Sequence, residues 1–283
     1  MRHSYYSSTA LRFAWRSYVV LCVLIFAFLL LPLLVIIPLS FNALPYFSFT
    51  PGMLRLSPSA YSLQWYEEVI GSRYWQLALW NSLFIGLFST AIATVLGTLA
   101  ALGMERARFP GKELVSAGLL LPIFAPTIVL ATGLYFLYAK LGLLETRTGI
   151  IFAHAAIASP YVLISVRAAL SMVDSRLTKA AQNLGANPVS AFLTVTLPLA
   201  LPGVIGGAVL AFVTSFDELV IVLFIGGGDT TTIPRQMWTG VREDLSPRVL
   251  AVSTMLTVSA VVALTFIQVI RRSAERRNRT VTP

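Results

Sequence analysis

Apolar residues in this chain fall in long blocks separated by short polar stretches. Six blocks approach or exceed about 20 residues, the length at which a helix of ~1.5 Å rise per residue crosses a bilayer. They lie at 18–39, 77–102, 114–138, 149–166, 201–225 and 249–270. The first is longer than a signal-peptide core and has no small-residue cleavage pattern after it, so it reads as an uncleaved anchor. Pro32 and Pro38 inside it are kinks of the kind a membrane helix tolerates when neighbours satisfy the freed carbonyls. The expected architecture is therefore all-α and polytopic: a transmembrane region over 18–270, an amino-terminal segment 1–17 and a tail 271–283.

Composition supports the bilayer as solvent. Of 283 residues, 57% are hydrophobic and 12% charged, and the mean hydropathy is +0.78, too apolar for a domain whose whole surface is wetted. Six spans with ordinary loops leave little chain for a separate soluble domain.

The net charge of +9 is explained by membrane orientation rather than by nucleic-acid binding. With the amino terminus inside, the cytoplasmic segments carry Arg2, Arg12 and Arg16, then Arg106, Arg108 and Lys112, then Arg167, Arg176 and Lys179. The tail adds Arg271, Arg272, Arg276, Arg277 and Arg279, making fourteen of the 21 basic residues. The other seven, Arg55, Arg73, Lys140, Arg147, Arg235, Arg242 and Arg248, fall outside. Such a bias places both termini in the cytoplasm, with the tail facing lipid headgroups.

Metal and thiol chemistry have few residues to work with. Cys22 is the only cysteine, and His3 and His154 are far apart without helical metal spacing, so no metal site is expected and His154 reads as structural. Small residues recur every four positions at Ser82, Gly86, Thr90 and Thr94, and again at Gly203, Gly207, Ala211 and Ser215, which suits close helix packing.

The segment 171–198 is polar enough to leave the membrane, yet it is patterned as two short helices. Leu177, Ala180, Ala181 and Leu184 share an apolar face, Gly185 suits a left-handed stop, and Asn187 before Pro188 restarts a helix. Ala180-Ala181, three residues, Gly185, nine residues, then Val195-Thr196-Leu197-Pro198 resembles the signature loop of ATP-binding-cassette (ABC) importer permeases. That pattern begins Glu-Ala-Ala, and Lys179 stands here in place of the glutamate.

The resemblance implies a type I ABC importer permease fold in a bacterial inner membrane. Lys179, Ala180, Ala181, Gly185, Leu197 and Pro198 would form the loop that couples to an ATPase. It further implies a second permease subunit, two ATPase subunits holding ATP and Mg, and an external or periplasmic substrate-binding protein. The chain itself has no Gly-x-x-x-x-Gly-Lys-Ser/Thr phosphate loop, and the run Gly226 to Gly228 lacks the lysine, so no cofactor and no enzymatic activity are expected in it.

Asp217 and Glu218 fall within the fifth apolar block, where ionisable groups are costly and normally face a wet cavity or the bundle interior. If that block is one helix, Thr214, Asp217 and Glu218 share a polar stripe. Two adjacent carboxylates repel when both are ionised, and a protonated amine would relieve that repulsion. Two roles fit: lining a cation pathway, or pairing with a neighbouring helix. Ser215 to Val220, Ile233 to Trp238, and Glu243 with Ser246-Pro247 are similar to the spermidine and putrescine permeases, from about Asn81 to Ser259. This resemblance implies a polyamine or related organic cation as cargo, with Trp238 either an interfacial anchor or an aromatic contact for an amine. An ion-gradient-driven transporter or channel is the alternative function.

Overall fold

The computed structural model describes residues 9–107, 109–243 and 246–279. In chain order its helices are α1 (Thr9–Leu39), α2 (Gln64–Gly71), α3 (Arg73–Arg106), α4 (Lys112–Phe124), α5 (Thr127–Leu141) and α6 (Arg147–Ser171). They continue with α7 (Ser175–Asn183), α8 (Leu197–Phe216), α9 (Val220–Ile225), α10 (Ile233–Glu243) and α11 (Arg248–Arg279). Among the described residues, five helical stretches are long and apolar enough to cross a membrane, or six if the bent pair α4–α5 is one span. The all-α, polytopic class read from the apolar blocks is the class of the fold. Arg2 and Arg108 lie outside the described residues, as do the side chains of Arg106 and the tail arginines.

The third apolar block is not one straight helix. Its two halves meet at 101°, and the break falls where proline requires it. Pro126 donates no amide hydrogen and forces Ala125 out of the helical region, to φ −73°, ψ 133°.

Two compact units divide the chain: Met1–Ser72 with Thr239–Pro283, and Arg73–Trp238. In the first, α1 exposes Phe26, Phe28 and Leu29 along a face the bilayer covers. The loop after it is organised by the fully buried Asn42. Its Nδ2 donates to the carbonyls of Tyr46 and Ser48 at 3.1 and 3.2 Å, and its own carbonyl accepts from Trp65 Nε1 at 2.7 Å. Arg248 at the start of α11 pairs with Glu68 of α2 at 3.1 Å.

The second unit is a bundle around α6, whose Ile150, Ala158 and Val162 are wholly buried against α3 and α8. Close approach is the reason for the small residues. A Cβ on Gly97 of α3 would lie 2.6 Å from Val162 Cβ, and one on Gly207 of α8 would lie 2.9 Å from Val162 Cα. Without a hydrophobic drive between helices in lipid, such contact supplies the dispersion energy that holds them. The short α9 packs Ile221, Val222 and Ile225 against Ala131 and Tyr138 of α5, so the broken third block and the end of the fifth support each other.

Candidate functional site

Two places in the second unit carry the chemistry: a knob at one end of α8 and a break at its other end. The twenty residues of α8 separate them by ~30 Å at ~1.5 Å per residue.

The knob is α7, a turn, the helical turn Pro188–Ala191 and the π-helical stretch Phe192–Thr196 that leads into α8. Each boundary is capped by its own side chain or glycine. Asp174 accepts from Arg176 N at 2.8 Å, and Asn187 accepts from Ser190 N at 2.8 Å ahead of Pro188. Gly185 has φ +94°, with its amide on the Gln182 carbonyl at 3.0 Å and Ala186 N on the Ala181 carbonyl at 3.1 Å, a paired left-handed stop. The widened π turns precede Pro198, whose ring would otherwise meet the carbonyl four residues back. Leu197 is the first residue of α8, and buried Thr178 ties α7 to this stretch through Thr196, hydroxyl to hydroxyl at 3.1 Å.

The apolar face of the knob points away from the bundle. Leu177 is 50% exposed, Leu184 90% and Val189 67%. Ala180 is exposed and Ala181 half-buried, so the backbone there is open to close approach, while Lys179 borders a polar cavity at the base of the knob.

At the other end, the expected continuous helix through 217 and 218 is corrected by the structure. Helix α8 stops at Phe216, Asp217 is its C-cap with φ −89°, ψ −4°, and α9 starts at Val220. Thr214, half-buried, is on α8, but Asp217 and Glu218 are not a continuation of its stripe. The carboxylates themselves supply the physical reason. Glu218 Oε1 accepts from Ile221 N at 3.0 Å, which satisfies a free amide at the start of α9 and sets the negative charge against the positive end of that helix. Continuing α8 would forfeit that bond. Asp217 is left exposed at the break.

The last turn of α8 is anchored by a contact that pattern reading missed. His154 of α6, fully buried, has Nδ1 2.8 Å from Ser215 Oγ, and its Nε2 has no hydrogen-bond partner among the described residues. Ser215 was visible only as a member of a small-residue ladder and His154 only as a lone core histidine; nothing in their spacing pairs residues 61 apart. A second unforeseen anchor is Asn81 of α3, whose Nδ2 donates to the carbonyls of Asp229 and Thr231, each at 2.9 Å. Arg235 adds a bond to the Gly227 carbonyl at 2.9 Å. Burial lowers the pKa of its guanidinium, and neighbouring Glu145 acts in the opposite direction. Trp238, on α10, is 43% exposed.

Residues 93–280 match the model of the family described as binding-protein-dependent transport system inner membrane component. The chain belongs to that family. This permease is 31% identical over 248 residues to the spermidine/putrescine transport system permease protein PotC of Haemophilus influenzae, covering 88% of this chain and 93% of that one. It is 35% identical over 204 residues to the trehalose transport system permease protein SugB of Mycobacterium tuberculosis, covering 72% and 73%. Among solved structures, a chain of a bacterial ABC transporter involved in the import of the acidic polysaccharide alginate superposes with a TM-score of 0.74 at 17% identity, over 92% of this permease and 97% of that chain. The fold is that of an ABC importer permease, and the protein is a membrane-spanning transport subunit.

Proposed function

We propose that this permease carries polyamines inward by alternating access, powered by ATPase subunits that grip the 171–198 knob from the cytoplasm. The observation that carries the cargo assignment is the break between α8 and α9, which leaves Asp217 exposed in the middle of an apolar block. A carboxylate there is costly unless it meets water or a cation, and a protonated amine supplies the charge without needing a metal's coordination shell. The similarity to a spermidine/putrescine permease over most of both chains supports the same reading. The energy source is assigned to partners because the chain has no phosphate loop, and the exposed Leu177, Leu184 and Val189 offer those partners an apolar seat. Both termini, the knob and the basic tail lie on the cytoplasmic side by the distribution of Lys and Arg. A second permease subunit, two ATPase subunits and an external binding protein complete the importer.

Uptake of labelled spermidine by cells expressing the whole importer tests this. The Asp217→Asn, Glu218→Gln double variant is expected to insert normally and to lose uptake; retained uptake removes the pathway role. The similarity to a trehalose permease supports a second cargo class, a small neutral sugar. Competition by unlabelled trehalose, with no competition by putrescine, would move the assignment to that class.

A further inference from the structure

Helix α7 is mounted with its polar face toward the bundle. Ser175, Thr178, Lys179 and Gln182, spaced i, i+3, i+4 and i+7, line a cavity of about 650 Å³, while Leu177 and Leu184 face away. The wall opposite is formed by the ends of three bundle helices: Glu105 of α3, Lys112 of α4 and Ser171 of α6. Two lysines from separate elements therefore line one chamber together with the hydroxyl-bearing Ser171, Ser175, Thr178 and Thr196.

The charge in that wall is cationic. Glu105 is the only carboxylate among the described lining residues, and Arg167 lies 4.0 Å from it, offsetting part of its charge. Lys112 directs one donor to the Ala107 carbonyl at 3.1 Å, and an ammonium has three, so two remain for a ligand. The complement of such a wall is a compact group that only accepts hydrogen bonds and carries negative charge. Phosphate has this chemistry, and Lys binds it as a point charge.

We propose that this cavity binds a phosphate-bearing anion between Lys112 and Lys179, either the headgroup of an anionic lipid or free phosphate. The bound group bridges the knob to the ends of α3, α4 and α6. Lys179, which departs from the glutamate of the family pattern, thereby serves a contact within this chain. The position of the site on the cytoplasmic face rests on the topology proposed above; binding does not depend on the identity of the cargo.

The test uses the assembled transporter in a zwitterionic detergent, titrated with inorganic phosphate by calorimetry. In a parallel arm, phosphatidylglycerol and phosphatidylcholine are supplied in mixed micelles and the retained lipid is measured by mass spectrometry. Lys112→Gln and Lys179→Gln should each weaken binding about tenfold, the effect of losing one charge-assisted hydrogen bond. Lys179 is exposed and Lys112 half-buried, and glutamine keeps most of the apolar stem at either place, so neither change empties the bundle packing. Arg176→Gln removes the same charge from α7 at a position outside the cavity wall and should leave binding unchanged. Binding of phosphate alone assigns a soluble anion, and retention of phosphatidylglycerol over phosphatidylcholine without phosphate binding assigns a lipid. Binding of neither, full affinity in the double lysine variant, or equal loss in Arg176→Gln overturns the proposal. If uptake persists while the anion fails to bind, the site falls and the permease reading stands.

Discussion

At the scale of single residues, the adjacent carboxylates have separate duties although they look alike in the sequence. Glu218 caps α9 through a carboxylate oxygen, a bond that the amide oxygen of glutamine can still accept. Glu218→Gln should therefore keep the break, whereas Glu218→Leu removes the cap at a cost of ~1 kcal/mol, read as a lower unfolding midpoint of the purified importer. Asp217 is exposed and makes no comparable side-chain bond among the described residues, so Asp217→Asn should cut spermidine uptake while leaving that midpoint in place. Buried His154 offers the opposite case. His154→Ala leaves the Ser215 hydroxyl without its 2.8 Å partner and opens a void, and the expected loss is ~2–4 kcal/mol, well above that of Asp217→Asn. Both residues stood out in the sequence by rarity, but rarity could not say which carboxylate caps a helix and which faces outward. That depends on where α8 ends.

At the scale of elements, the small-residue ladders and the knob were legible because they rest on local rules. Spacing of four marks one helix face, and glycine on it permits contact. The neighbour that makes each glycine necessary is set by packing. Gly207 approaches Val162 so closely that Gly207→Leu must push α6 and α8 apart, costing ~1–3 kcal/mol and reducing folded protein in the membrane. The adjacent Gly206 has only ordinary contact, 3.4 Å from Ser165 Oγ, and Gly206→Ala should be accepted; equal loss in both variants would refute this account of the interface. The knob repeats the lesson with conformation in place of space. No described residue blocks a side chain on Gly185, but its φ of +94° does. Gly185→Leu should cost ~1–2 kcal/mol locally and abolish ATPase stimulation in the reconstituted importer, and Gly185→Asn, which enters the left-handed region more readily, should restore part of it. The two helix breaks differ in legibility: Pro126 announces the first, while the second has no proline or glycine between 214 and 219 and follows from a side-chain cap.

At the scale of the whole molecule, the proposed function gives the permease a force-bearing end and a cargo-bearing end joined by one helix. Helix α8 spans Leu197–Phe216, and on that proposal it would carry displacement of the knob to the break. Leu184→Asp places a charge on the exposed apolar tip without touching the bundle. It should leave the folded permease intact and abolish co-purification of the ATPase; normal co-purification would remove the knob as the docking surface. Labelling a cysteine at Ala181 with a membrane-impermeant reagent should require permeabilised cells if the proposed topology holds, because it puts the knob inside.

Properties with local or additive causes could be read from the residues in order: the number of membrane crossings from apolar length, and caps and stops from groups that bond close along the chain. Properties that depend on contact between distant segments could not. The union of His154 with Ser215, the outward turn of the knob's apolar face and the polar cavity behind Lys179 all require knowing which surfaces meet. In a bilayer that choice is made by close packing and by the need to satisfy every polar group internally, and both are sums over neighbours that lie far apart along the chain.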